Sequence, residues 1–173
     1  MDVTDTYRVN RKTMAIIPHS GPDYQSRIIE TGREIFCTKS VKQILEKACL
    51  EGGASLDGRR KSVEYILNTN IKLPIPVNPG MGAFFFPNKS PKEFNCSWFS
   101  FYHIEEYLKS NDNNDKTNLV FSNRTTAVID TSFFTFRRQM YVTATVIAAL
   151  SRDILWSSVQ DDEEEKNRDQ ASS

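Results

Sequence analysis

No stretch of this chain approaches the roughly 20 consecutive apolar residues that a membrane-spanning helix needs. The best candidate, Val142 to Leu150, is short and interrupted by Thr143 and Thr145. The opening residues, Met1-Asp2-Val3-Thr4-Asp5, lack the basic n-region and apolar h-region of a secretory leader. Cysteine is scarce: Cys37, Cys49 and Cys96 are odd in number and widely spaced. That argues against a disulfide framework and fits a reducing, cytoplasmic setting. There are only two histidines, His19 and His103, and no C-x-x-C, H-E-x-x-H, G-x-S-x-G or G-x-x-x-x-G-K-[ST] run. Cys96 and His103 are an odd number of residues apart in a stretch that reads as one strand, so they face opposite sides and form no dyad. The expectation is a protein that is not an enzyme and has no cofactor and no metal.

What is present suffices for a folded core. Of 173 residues, 39% are hydrophobic and 11% aromatic, which supports one ordinary domain over residues 1–158. Net charge is formally zero, with 22 basic and 22 acidic residues, but it is unevenly placed. Asp161, Asp162, Glu163, Glu164, Glu165 and Asp169 against Lys166 and Arg168 leave the tail at −4 and the body at +4. The tail, residues 159–173, reads as acidic and disordered. A mildly basic body is compatible with nucleic-acid binding without requiring it.

The pattern predicts a strand pair over residues 7 to 19, around Asn10-Arg11-Lys12. It predicts a hairpin from Gln25–Glu30 and Arg33–Thr38 about Thr31-Gly32. Ser40 and Gln43 form a capping-box signature for a helix whose inward face is Val41, Ile44, Leu45, Ala48 and Cys49. A second helix starts at Ser55 and runs towards Leu67. The prolines of residues 72–82 exclude a helix or a central strand there and suggest an extended connector. Ala83–Phe86 and the aromatic stretch Cys96–Tyr107 read as strands, followed by a polar loop over 111–118. A second hairpin turns at Asn123-Arg124. A last helix, capped by Ser132, carries Phe133, Phe136, Met140, Tyr141, Ala144, Ile147 and Ala148 at helical spacing. The fold class is α+β: mainly antiparallel strands with two helices in the N-terminal half and one at the C-terminus.

Four colinear stretches carry a resemblance. They are Gly53-x-Ser55-x-x-Gly58-Arg59, then Lys72-x-Pro74-Ile75-x-Val77-x-Pro79 leading into Phe84-x-Phe86-Pro87. Next comes Cys96-x-Trp98-x-Ser100-x-x-His103, and last Phe121-Ser122-Asn123 with Thr126, Ser132, Phe136, Gln139, Tyr141 and Thr143-Ala144. In order and spacing, from Tyr7 to Ala149, the chain resembles the competence transcription factor (ComK) family. The resemblance implies a transcription activator of DNA-uptake genes that binds paired A·T-rich promoter boxes, mainly from the minor groove. It also implies a homo-dimer or higher oligomer, and turnover through an adaptor and a Clp-type protease. The acidic stretch from Gln160 departs from the family pattern. It leaves an alternative: a truncated family member acting as a protein-interaction or regulatory module with weak DNA binding.

Minor-groove readers combine phosphate contacts with a few cations in the narrow groove of A-tracts. Arg59-Arg60-Lys61 is the densest basic cluster and follows Gly58, where backbone can approach a phosphate. A solvated helix face is the competing reading. The hairpin tip with Asn123 and Arg124 is the second candidate, against a plain tight turn. Arg137 and Arg138 on the last helix are the third, and Arg11, Lys12, Lys89 and Lys92 are loop cations of the same kind. The aromatics of 84–86 and 98–102 suggest base stacking, but strand aromatics more often fill cores.

Overall fold

A strand that is apolar at every position must be covered on both faces, because successive side chains point to opposite sides. Phe84-Phe85-Phe86 and Trp98-Phe99 are such runs, and they set the layering of the molecule. A computed structural model describes residues 1–172, and of residues 153–161 the helical backbone alone. Its strands are β1 (Val3–Thr4), β2 (Thr13–Pro18), β3 (Ser26–Glu30), β4 (Arg33–Cys37), β5 (Ile75–Asn78), β6 (Ala83–Pro87), β7 (Trp98–Ser100), β8 (Ile104–Lys109), β9 (Thr117–Phe121) and β10 (Thr126–Ile129). Its helices are α1 (Val41–Glu51), α2 (Leu56–Leu67) and α3 (Phe133–Ala171), with 3₁₀ turns at Pro79–Met81 and Phe101–His103.

Seven strands form one sheet in the order β1-β4-β3-β2-β7-β6-β5, and three form a second in the order β10-β9-β8. Pairing is antiparallel except where β1 lies parallel to β4. Phe85 and Trp98 point to one face of the large sheet, into a core with Ile16, Ile28, Ile44, Leu45 and Cys49 beneath α1. Phe86 and Phe99 point to the other face, into a core with Leu119, Phe121 and Phe136 from the small sheet and α3. The order of layers is therefore α1, large sheet, then small sheet with α3, while α2 packs beside β5 and also meets α3 through Val63 and Val146. The architecture is α+β and mostly antiparallel, as the patterning implies.

The two N-terminal-half helices form where the caps place them. Ser40 accepts from the Gln43 amide, and the Gln43 side chain accepts from the Ser40 amide. All five predicted inward residues of α1 are buried. Ser55 caps α2 through the Gly58 amide. Gly32 turns the β3–β4 hairpin at φ +94°, a region that glycine enters without a Cβ clash.

Several expectations need correction. Of residues 7–19 only Thr13–Pro18 is a strand, and its partners are β3 and β7. Tyr7 is instead drawn inward by hydrogen bonds to Thr13 and Glu30. The 72–82 connector includes β5, a strand that tolerates Pro76 because it is the sheet edge, with Pro74 just before it. The Cys96–Tyr107 stretch is broken by the 3₁₀ turn, so the odd-spacing argument for Cys96 and His103 does not apply. On α3 the buried positions are Phe136, Gln139, Thr143 and Val146, while Tyr141, Ala144 and Ala148 face outward. A buried glutamine and threonine interrupt the apolar stripe, which rotates the face inferred from hydrophobicity alone. Finally, α3 continues to Ala171, where the sequence suggests disorder. Glu, Lys, Arg and Gln are good helix formers, and Arg168 sits 3.7 Å from Glu164 one turn away. Among the described residues no helix is long and apolar enough to cross a membrane.

Candidate nucleic-acid interface

A cation held by a carboxylate of its own chain is less free to meet a phosphate. Many are so held here: Arg8 by Glu51, Arg27 by Glu34, Arg33 by Glu30, Lys61 by Asp57, Lys89 by Asp130 and Arg124 by Glu105. Of the sequence candidates, Lys61, Arg124 and Lys89 therefore carry partners, at 3.1, 2.7 and 2.8 Å. Asn123 shapes its own turn by accepting from the Thr125 amide and hydroxyl, and Arg124 completes that turn at φ +70°. Arg59 folds back to donate from Nη2 to the Gly52 carbonyl at 2.9 Å, beyond the last turn of α1. There a cation complements the negative helix end. Its Nε is buried without a hydrogen-bond partner.

Arg60 is different. It is exposed, has no ion pair among the described residues, and lines an open groove of about 740 Å³. The groove runs between the start of α1, α2, the 70–73 loop and the 90–96 loop. Its cations are Lys42, Arg60, Lys72 and Lys92, and its one carboxylate is Glu93. Glu93 is engaged with the Ser90 amide, and Lys42 lies 3.8 Å from Glu46. The positive end of α1 opens on the same groove at Ser40. Phe94, 68% exposed, and Ile71 stand at its rim. Net positive charge, the positive end of a helix and apolar rim groups suit a phosphodiester backbone with its bases.

Lys42 and Lys72 are the residues that sequence reasoning missed. Each leaves a signal. Lys42 sits in the first turn of a helix, where the dipole disfavours a cation. Lys72 adopts φ +48°, unusual for a lysine, at the end of a loop leading into Pro74. Its carbonyl is held by buried Gln139, whose Nε2 also donates to Pro87, each at 2.9 Å. Arg138 donates to the Oε1 of the same Gln139, which brings it towards the Lys72 loop.

Arg137 points elsewhere. Its guanidinium lies 5.1 Å from the Phe134 ring centre, and the Lys109 ammonium lies 4.7 Å from the same ring. Both also approach Phe133. Of the aromatics considered for stacking, Phe84, Phe85, Phe86, Trp98 and Phe99 are core residues, Phe101 is half-buried and Tyr102 is exposed.

A serine–histidine contact does occur. Ser100 Oγ lies 2.7 Å from His103 Nδ1, and His103 Nε2 lies 2.8 Å from the Arg11 carbonyl. Burial lowers the His103 pKa, partly opposed by the Arg11 carbonyl. Ser100 is only 3% exposed, so the pair fastens the 3₁₀ turn to the Arg11 loop. All three cysteines are buried, and burial pushes the Cys49 and Cys96 thiols up to about 11. Among the described residues no cluster of His, Cys, Asp and Glu could hold a metal ion.

The comparisons with known proteins agree with the colinear motifs. The family described as ComK protein matches residues 4–154. The competence transcription factor of Bacillus subtilis (strain 168) is 31% identical over 141 residues, covering 81% of this chain and 72% of that protein. No solved structure matches the chain. The family match runs from the end of β1 into α3, and on that extent the chain belongs to the ComK family.

Proposed function

We propose that the chain is a DNA-binding transcription activator of competence genes that recognises paired A·T-rich boxes largely through the minor groove. Family membership supports the transcription role. One structural observation carries the DNA reading: Arg60, Lys72 and Lys92, without carboxylate partners among the described residues, converge with Lys42 and the α1 N-terminus on one groove. Phosphates lie along that groove, and Phe94 is positioned as an apolar wedge of the kind that minor-groove proteins insert at a base step. Arg60 is the sequence candidate that takes part directly, and Arg138 supports the Lys72 loop. Arg59, Lys61, Asn123, Arg124 and Arg137 lie outside this surface. The reading includes assembly as a homo-dimer or higher oligomer, a cytoplasmic location, and turnover through an adaptor and a Clp-type protease.

The test is a binding titration with a duplex carrying two A·T boxes against a G·C-substituted duplex, over a salt series and with a minor-groove ligand. Binding that prefers the A·T duplex, falls with salt and is displaced by the ligand is expected. Equal affinity for both duplexes would refute the reading. A second reading, an interaction module with weak DNA binding, draws on the exposed acidic end of α3. It predicts assembly with no A·T preference.

A further inference from the structure

The cluster around Phe134 is the strongest feature that the DNA reading does not use. Two cations, Lys109 from β8 and Arg137 from α3, converge on one ring, and neither has a carboxylate partner among the described residues. Like charges brought together without an acid leave a place for an anionic group. The surroundings are apolar: Phe134 is 58% and Tyr141 62% exposed. Exposed aromatics with Arg at their centre are the composition of a protein interface, whereas a phosphate track needs cations and polar groups.

The chain itself carries a complementary surface. Asp162 and Glu163, on the distal part of α3, are exposed and without ion pairs among the described residues. Phe134 to Asp162 is four heptads, a drift of about 80° at about 20° per heptad, and Glu163 falls about 20° to the other side of Phe134. Phe134, Arg137, Tyr141, Ala148, Asp162 and Glu163 therefore fall within one face of the helix, a stripe about 100° wide. The two ends of this face cannot meet within one molecule. Arg137 and Asp162 belong to one continuous helix, roughly 35–40 Å apart along its axis at about 1.5 Å per residue. Any contact between them is a contact between two copies.

We propose that the acidic end of α3 in one copy docks on the Lys109–Arg137–Phe134 patch of a second copy, with the two α3 helices antiparallel. The same contact is then made twice about a two-fold axis, so the pair closes instead of growing into a filament. Tyr141, Ala144 and Ala148 lie on the outward side of α3 between the two contacts and let the helices approach. This inference rests on the oligomer part of the reading above and supplies its interface. It is independent of the DNA groove.

The experiment is sedimentation equilibrium of the full chain at several salt concentrations, with charge-exchanged variants. Wild type is expected to form dimers or higher assemblies that weaken as salt rises. K109E/R137E is expected to weaken self-association about tenfold or more. D162K/E163K, which alters only exposed positions and spares the core, is expected to do the same. Combining all four changes is expected to restore association to within about threefold of wild type. An assembly indifferent to both charge reversals overturns the proposal, and so does failure of the combined variant to recover when its circular dichroism is native. A loss of DNA affinity by K109E/R137E with unchanged assembly also overturns it, because the patch would then belong to DNA. A wild-type chain that stays monomeric at every concentration overturns the oligomer reading itself.

Discussion

Gln139, in the middle of the last helix, donates its side-chain amide to the backbone carbonyl of Lys72 at 2.9 Å. The second hydrogen of that amide reaches the Pro87 carbonyl, so one buried side chain fixes both a groove loop and the end of β6. Thr143, one turn on, bonds back to the Gln139 carbonyl. The packing of α3 and the position of a groove cation are thus one structural fact.

Replacing Gln139 by leucine keeps the volume and removes both bonds. One buried and one part-buried carbonyl lose their partner, which costs about 1–3 kcal/mol. Urea denaturation should show that loss. DNA affinity, measured on folded protein, should also fall, because the Lys72 loop is no longer held. Unchanged affinity in a destabilised Q139L would mean that loop placement does not matter for binding.

Arg59 and Arg60 are neighbours in sequence with different tasks. Arg59→Ala removes the bond to Gly52 at the end of α1 and should lower the thermal midpoint, with little change in the salt dependence of DNA binding. Arg60→Ala should leave the midpoint alone and weaken DNA binding. The reverse pattern would place the interface on the Arg59 side of α2.

Counterion release gives the groove a count. Each phosphate contact contributes about 0.9 to the slope of log affinity against log salt. The triple change Arg60→Ala, Lys72→Ala, Lys92→Ala should therefore reduce that slope by about 3. Lys61→Ala, at a cation already paired with Asp57, should move it little. A triple variant with the wild-type slope would remove the groove from the interface.

Local signals in the sequence report local structure well. The Ser40/Gln43 box, the Ser55 cap and the Gly32 turn each act within a few residues, so each could be read before any coordinates. The continuous aromatics of 84–86 and 98–99 likewise implied burial over base stacking. Long-range pairing is where sequence reading stops. Nothing near Arg59 announces that its guanidinium turns back to Gly52, and nothing near Arg124 announces Glu105 across the hairpin. The groove brings together residues from positions 42, 60, 72 and 92, which no spacing rule joins. The inward face of α3 differs from its hydrophobic stripe for a related reason: Gln139 is buried because the distant Lys72 and Pro87 carbonyls take its amide hydrogens, Thr143 is buried with its hydroxyl bonded one turn back to the Gln139 carbonyl, and hydrophobicity encodes neither.

Glu30 offers a test by pH. Its carboxylate is 1% exposed and accepts from Arg33 Nε at 2.7 Å, Tyr7 Oη at 2.7 Å and Asn10 Nδ2 at 3.1 Å. Burial alone would raise its pKa, but the hydrogen bonds from Arg33, Tyr7 and Asn10, with the Arg33 charge, outweigh it and hold the pKa below the usual 4.5. A group with a depressed folded pKa binds protons more readily when unfolded. Its contribution is therefore complete at neutral pH and is lost as pH falls from 4.5 through the lower folded value. Tyr7→Phe removes one hydrogen bond to this carboxylate and should cost about 1.5–3 kcal/mol at pH 7. The cost should shrink as the carboxylate protonates, so urea denaturation of wild type and Y7F should converge below pH 4.5. A gap that stays constant from pH 7 to pH 3 would show that the Tyr7 hydroxyl acts through its bond to Thr13, and that the charge on Glu30 is not what holds the N-terminal segment in place.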